Sequence, residues 1–391
     1  MSKLRLYSLL LFLVVFCLLF MGIMAIYSTT YTTDDDYYLK HQMIWILVGI
    51  CASATIAKIP MDVLSKYSRR LLLGIMFLLV YLLIATILRY RLHFGFRLPC
   101  VVYAKGASRW IGKFGISVQP SEFAKFALIL FLSSYYGMRD VQKIEDVREG
   151  LAKPLGASLC VLALIVFGKA LSNTILCTII VISIMFLAGV PFKRLAKTIG
   201  ILVLCAGVLA IAEPYRRRRI TNFIARRQET VEWTTAPRKD DNHQLERSIC
   251  AIGSGGLSGL GVTRGRLKNK AIPESKTDFI FAVIGEEMGF CGVCLGFVLY
   301  LAFMVLCFLI GNECKDRRGM LICMSVGIII ASQAAMNLAV ICGIMPTTGV
   351  TAPLVSYGGS SIVSVMMCVG LVFNASFSKL SEQNREVVLN V

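Results

Sequence analysis

Charge is what this chain has least of. Asp, Glu, Lys and Arg supply 16% of its 391 residues against 57% for hydrophobic types, and the mean hydropathy is +0.72. So apolar a chain cannot cover two or three soluble cores with water-facing side chains, which leaves a polytopic membrane protein. Acids are scarcer still, with 23 Asp and Glu against 41 Lys and Arg, for a formal net charge of +18. With no soluble domain to carry a groove reader, that excess argues for contacts to phosphate or lipid and against nucleic acid. Low-complexity tracts, clear internal repeats and folded terminal domains are all missing. So is a second C-x-x-C to accompany Cys291 and Cys294, and the pair therefore reads as ordinary packing rather than a zinc or redox site. Most of the fourteen cysteines fall in apolar runs, where Cys behaves as a small hydrophobe. Cys100 and Cys250 both fall in expected outside loops, and the sequence alone does not decide whether they pair.

What the chain does have is apolar length. A span needs about 20 apolar residues, and ten such runs can be counted: 6–27, 43–58, 71–88, 121–137, 154–171, 173–190, 197–213, 279–311, 320–343 and 359–377. The expected fold is an all-α integral membrane protein, one polytopic domain over residues 1–391. Long extracytoplasmic loops are expected at about 89–120 and 214–278, and a short polar tail at about 378–391. The eighth run is long enough that its first turns lie outside the bilayer or tilt. The first begins after Met1-Ser2-Lys3-Leu4-Arg5 with no small-residue cleavage site, and is expected to be retained.

Lys and Arg in short loops set the orientation. Lys58, Lys66, Arg69 and Arg70, then Arg139, Lys143, Arg148 and Lys153, then Lys193, Arg194 and Lys197, then Lys315, Arg317 and Arg318 share one side. That side is the cytoplasm, with both termini in it. The acidic Thr33-Asp34-Asp35-Asp36 run and the neutral Gly343–Tyr357 stretch face out. Residues 214–278 break the pattern, lying outside with an excess of Lys and Arg. Long loops largely escape the charge rule, and an anionic substrate at the outer leaflet would account for their basicity.

Three constellations could carry chemistry. The first is Gly106-Ala107-Ser108-Arg109-Trp110-Ile111-Gly112 followed by Gln119-Pro120-Ser121-Glu122-Phe123-Ala124-Lys125. Pro120 suits a helix start, and Glu122 and Lys125 share one face at i,i+3. An ion pair in a span is costly unless it lines a wet cavity, so the choice lies between an interfacial cap and a cavity lining with Arg109 and Trp110 at its mouth. The second is the basic loop. Arg216–Arg219 reads first as a headgroup anchor, and the run from Asp241 to Ser248 includes Gln244. Five glycines crowd into Gly253–Gly261, and Arg264, Arg266, Lys268 and Lys270 follow. Such glycines let backbone amides approach an anion, and with Glu274 and Asp278 beyond them the stretch suits a pyrophosphate and sugar. Glu286 and Glu287 lie deeper in the next run, where an ionisable residue is a functional hypothesis by default although pairing with a neighbouring helix is the plainer reading. The third runs from Pro346 to Ser361. Its prolines, glycines and hydroxyls at membrane depth suggest a broken segment, tolerated only when buried in protein or lining water.

Read together and in order, these motifs resemble the shape, elongation, division and sporulation family, whose members include FtsW, RodA and SpoVE. The resemblance covers nearly the whole chain. It rests on Gly-Ala-x-Arg-Trp-Ile from Gly106, Gln-Pro-Ser-Glu-x-x-Lys from Gln119, Gly-Ser-Gly-Gly-x-x-Gly from Gly253, Pro-Glu-x-x-Thr-Asp-Phe-Ile-Phe from Pro273, Gly-Glu-Glu-x-Gly from Gly285 and Ser-Tyr-Gly-Gly-Ser-Ser from Ser356. It implies an inverting glycosyltransferase that polymerises lipid II into β-1,4 glycan strands for cell division or cell shape, releasing undecaprenyl pyrophosphate, in the bacterial inner membrane. It also implies a class B penicillin-binding protein as partner, beside other divisome or elongasome membrane proteins. By resemblance Asp278 is the catalytic residue, a general base on the acceptor GlcNAc 4-hydroxyl. Trp110, Arg109, Glu122, Lys125, Gln244, Ser248, Gly255, Gly256, Glu274, Thr277, Ser356, Gly358 and Ser360 are expected to bind substrate. No cofactor is firmly implied, though basic side chains or a divalent cation (Mg or Mn) would serve the pyrophosphate.

The chain departs from the family where Ala170 stands at a position usually held by an Asp of the charged cavity, with Lys169 before it. Lys276 stands where the family often has His. Two alternatives follow. One is a lipid-linked precursor transporter, which would need charges along a continuous path across the bilayer; the other is an inactive scaffold for the cross-linking partner.

Overall fold

Each of the ten apolar runs coincides with a helix in the computed structural model, which describes residues 3–31, 36–91, 98–104, 107–113, 116–212, 217, 221, 223, 241–266 and 274–389. In chain order the helices are α1 (Lys3–Thr30), α2 (Tyr37–Lys58), α3 (Met61–Thr86), α4 (Pro120–Gly137), α5 (Val141–Glu145), α6 (Lys153–Phe167), α7 (Leu171–Leu187), α8 (Phe192–Ala212), α9 (Asp241–Gly255), α10 (Ile280–Glu313), α11 (Arg317–Ile341) and α12 (Gly359–Leu389). Among the described residues seven helical segments are long and apolar enough to cross a membrane: 3–30, 37–58, 61–90, 147–167, 280–313, 317–341 and 359–378. α4, α7 and α8 occupy the other three runs.

Helix starts follow local chemistry. Pro120 takes the first position of α4, where its missing N–H costs nothing. Asp316 caps α11 by accepting from the Arg318 amide at 2.9 Å. α1, α2 and α3 turn large apolar side chains such as Phe12 and Phe77 outward, as a lipid-facing surface requires. α11 and α12 are buried on most of their surface and form the centre, packing against α10, α4 and α2. The long α10 is not straight. Gly289 has φ 68 and ψ −166, a conformation open essentially to glycine alone, and it breaks the helix two turns in. It is a feature separate from the placement and tilt of the first turns expected of the eighth run.

The segment at 89–120 holds more than loop. Strands β1 (Val101–Ala104), β2 (Ala107–Lys113) and β3 (Ile116–Val118) form an antiparallel sheet in that order, with Val102 opposite Trp110 and Ile111 opposite Val118. The segment after α11 has no regular structure, and its residues Val350 and Ala352–Ser356 are buried in protein. Tyr300 of α10 donates its hydroxyl to the Pro353 carbonyl at 2.7 Å. Gly22 of α1 is needed where it packs, since a Cβ there would stand 2.6 Å from the Val355 carbonyl oxygen. Protein groups thus take the place of water around a broken backbone. All fourteen cysteines are free thiols, Cys100 and Cys250 included. Asp34, Asp35, Gly106, Arg216, Arg218, Arg219, Lys268, Lys270 and Pro273 lie outside the described residues.

Candidate active site

A short turn before α10 carries Asp278. Its geometry begins at Glu274, whose φ of 61 reverses the chain, and whose carbonyl accepts from the amides of Thr277 at 3.1 Å and Phe279 at 3.3 Å. The Thr277 hydroxyl is committed to the same residue, at 3.0 Å from Glu274 Oε2. Asp278 is left half-buried at the rim of the helix bundle. The broken segment holds the turn from the other side. Ser356 Oγ donates to the Thr277 carbonyl at 2.6 Å and accepts from the Ala352 amide at 2.8 Å, while the Tyr357 amide donates to the Lys276 carbonyl at 2.9 Å. Asp278 Oδ2 faces Gly349, where an added Cβ would stand 3.4 Å away. Lys276 places its ammonium 3.7 Å above the Tyr38 ring, a cation–π contact, and Tyr38 meets Tyr357 edge-on with centroids 5.1 Å apart.

Below that turn lies the ion pair. Lys125 Nζ and Glu122 Oε2 are 2.8 Å apart, with side chains only 4% and 10% exposed. An ammonium so deep needs further partners, and Lys125 finds one in Gln333 Oε1 at 2.9 Å. Ser364 Oγ donates to the Glu122 carbonyl at 2.7 Å, and Asn173 Nδ2 donates to Ser121 Oγ at 2.8 Å. Ala170 stands just before α7, and Lys169 ahead of it is left-handed with φ 63. Two residues on, Ser172 donates its hydroxyl to the Thr348 carbonyl.

The glycine-rich segment is packed on α10. The amides of Leu260 and Gly261 donate to the Glu286 and Glu287 carbonyls, each at 3.0 Å. Glu286 Oε1 accepts from the Arg266 amide at 2.6 Å, and Glu287 Oε1 accepts from Ser28 Oγ at 2.5 Å. These carboxylates, both buried, therefore take up amides of the loop. Gly255 is buried against the Gly285 carbonyl, where a side chain would clash, whereas Gly256 is exposed with φ 55.

The remaining expected residues are spread around this centre. Trp110 is exposed and Arg109 half-buried on β2, and Ser108 before them donates its amide to Thr86 Oγ1 at 3.1 Å. Ser360 accepts from the Gln119 amide at 3.0 Å and donates to the Ser117 carbonyl at 3.4 Å, tying β3 and the start of α4 to the start of α12. Gly358 is half-buried two residues earlier. Ser248 is buried and donates to the Ile341 carbonyl at 3.3 Å, seating α9 on the end of α11, with Gln244 half-buried one turn before it. The structure thus brings Asp278, Thr277, Glu274 and Ser356 together. It groups Glu122 and Lys125 a level deeper and leaves Gln244, Ser248, Trp110 and Arg109 on flanking elements.

Sequence reasoning missed Gln333 and Asn337, four residues apart on α11. Gln333 Nε2 donates to the Thr351 carbonyl at 2.9 Å, and Asn337 Nδ2 donates to the carbonyls of Val350 at 2.6 Å and Asp278 at 2.7 Å. The available signal was two amides at helical spacing within an apolar run, where polar side chains are seldom idle. Among the described residues no three His, Cys, Asp or Glu converge as a metal site. The arrangement offers a half-buried carboxylate just before α10, two residues after Lys276, and a buried charged pair on α4.

A family model described as cell cycle protein (FtsW, RodA, SpoVE) matches residues 7–380. A probable peptidoglycan glycosyltransferase FtsW of Aliivibrio salmonicida is 31% identical over 349 residues, covering 88% of this chain and 81% of that protein. The stage V sporulation protein E of Bacillus subtilis is 30% identical over 377 residues, covering 94% and 96%. Among solved structures, a chain from work on the structural coordination of polymerization and crosslinking by a peptidoglycan synthase complex aligns with TM-score 0.74. It is 22% identical and covers 94% of this chain and 97% of that one. Rod shape determining protein RodA of Thermus thermophilus aligns with TM-score 0.66 at 22% identity, covering 94% and 96%. At that identity these two establish the fold alone.

Proposed function

The chain belongs to the FtsW/RodA/SpoVE family of cell cycle proteins, and on that premise we propose that it is a peptidoglycan glycosyltransferase that polymerises lipid II into β-1,4 glycan strands. The single observation that carries the reading is Asp278. It is half-buried at the rim of the bundle, its main chain is fixed by Asn337, and its carboxylate looks onto a glycine. There it accepts the proton of the acceptor 4-hydroxyl as the oxygen attacks donor C1. The bond from C1 to the pyrophosphate oxygen breaks as the new one forms, so an α-linked donor gives a β product. Undecaprenyl pyrophosphate leaves as an anion, and the basic surface around Arg264 and Arg266 is the protein's source of positive charge for it.

Glu122 and Lys125 shape the floor of the site as an ion pair whose two charges offset each other, and Ser356 supports the Thr277–Asp278 turn. Their deep charges are mutually compensated rather than strung across the bilayer, which favours polymerisation over transport. Ala170 supports one competing reading, an inactive scaffold with the same fold. The protein is multi-pass, and we place it in the inner membrane with both termini cytoplasmic and a class B penicillin-binding protein as partner. The test is to supply lipid II to the purified protein with such a partner. Strands cut by a muramidase, with one undecaprenyl pyrophosphate released per bond, support the reading. Intact lipid II alone would refute it and favour the scaffold.

A further inference from the structure

The two amides that sequence reasoning passed over lie on one face of α11, a helical turn apart, and each grips the same two-residue stretch of the broken segment. Asn337 is 1% exposed and Gln333 2%. Asn337 Nδ2 joins the Val350 carbonyl at 2.6 Å to the Asp278 carbonyl at 2.7 Å. Gln333 Nε2 holds the next carbonyl, Thr351, at 2.9 Å, while its Oε1 accepts from the Lys125 ammonium at 2.9 Å. The line from the buried ion pair to the main chain of Asp278 is therefore continuous: Glu122, Lys125, Gln333, Thr351, Val350, Asn337, Asp278. Thr351 Oγ1 also meets Ser361 Oγ at 3.1 Å, which ties the stretch to α12.

Packing alone would be met by an apolar side chain, and a buried amide is costly unless bonded. Here both amides spend their donors on main-chain carbonyls of an irregular segment, and one of those carbonyls belongs to Asp278. We propose that Gln333 and Asn337 are positioning residues for Asp278. Asn337 clamps the carboxylate-bearing turn to Val350, and Gln333 registers the same stretch against Lys125. Neither touches substrate; they fix where the base stands relative to the floor of the site. This inference rests on the polymerase reading.

The experiment takes the full-length protein with its class B partner and compares wild type with Asn337→Ala. The nearly isosteric Asn337→Leu, which removes the donors and leaves no cavity, is the second variant should the first fail to fold. Lipid II polymerisation is measured per mole of monodisperse folded protein, and hydrogen exchange is followed over residues 276–279 and 349–351. The expected result is a fall in kcat of roughly 100-fold, the size expected when a reacting group is misplaced by about 1 Å. KM should stay within about threefold, and exchange should rise in those two segments while α11 itself is unchanged. A kcat within about threefold of wild type, or unaltered exchange at 276–279, would overturn the assignment. If the wild type makes no polymer, the polymerase reading fails, and the exchange measurement still decides whether Asn337 holds the turn.

Discussion

Removing the Lys125 ammonium should expose how much of this bundle depends on charge held inside it. Lys125→Met keeps most of the side-chain length, so no large cavity opens. What changes is electrostatic. Glu122, 10% exposed, loses a cation 2.8 Å away, and Gln333 Oε1 loses its donor at 2.9 Å. Breaking a buried pair on one side costs about 3–5 kcal/mol, because the remaining charge stays desolvated. Removing both charges together, as Glu122→Gln with Lys125→Met, is often nearly neutral for the same reason. With a loss of about 3–5 kcal/mol for each single variant and little for the pair, the cycle should show a coupling of about 6 kcal/mol or more, the double variant being more stable than the sum of the single losses. Reversible unfolding in bicelles, followed by steric trapping or denaturant titration, gives the three differences. Additivity within about 0.5 kcal/mol would refute the claim that these groups form one desolvated unit.

Other outcomes follow from single positions. Gly289→Ala puts a Cβ onto the Gly259 amide from a backbone with φ 68, and should cost at least about 2 kcal/mol in the same unfolding measurement. Tyr300→Phe deletes the hydroxyl that donates to the Pro353 carbonyl at 2.7 Å, and a loss of about 1–3 kcal/mol is expected. Gly349→Ala combines a strained φ of 73 with a methyl 3.4 Å from Asp278 Oδ2, so turnover should drop by about tenfold or more in a protein that still folds. Reporter fusions after Lys239 and after Lys315 should fall on opposite sides of the membrane, and the same compartment for both would undo the assignment of Asp278 to the outer face.

Much of the fold was legible because membrane burial writes itself in length. Apolar runs located the helices to within a few residues at most ends, as at 121–137 against Pro120–Gly137. The sheet at 101–118 was not legible, since its strands are short and follow no strict alternation. The break in α10 was half-visible: the run was too long for one straight span, but only the left-handed Gly289 locates the bend. At the site, the paired charges at i,i+3 could be read from spacing, and the carboxylates Glu274 and Asp278 from their place ahead of the eighth run, but the turn that carries Asp278 could not. The bonds of Ser356 and Asn337 could not, because they join residues 79 and 59 positions apart. The glycine-rich loop shows the limit most clearly. Its composition suits an anion, and in the fold the amides of Gly265 and Arg266 face Glu287 and Glu286.

One comparison bears most directly on the account: single-turnover glycan synthesis from lipid II by wild type and by Asp278→Asn, both shown folded and both bound to the class B partner. Strands are expected from the wild type and none from the variant, since the amide cannot take the acceptor's proton. Strand formation by the variant at a rate near that of wild type would contradict it, and the base would have to be sought elsewhere.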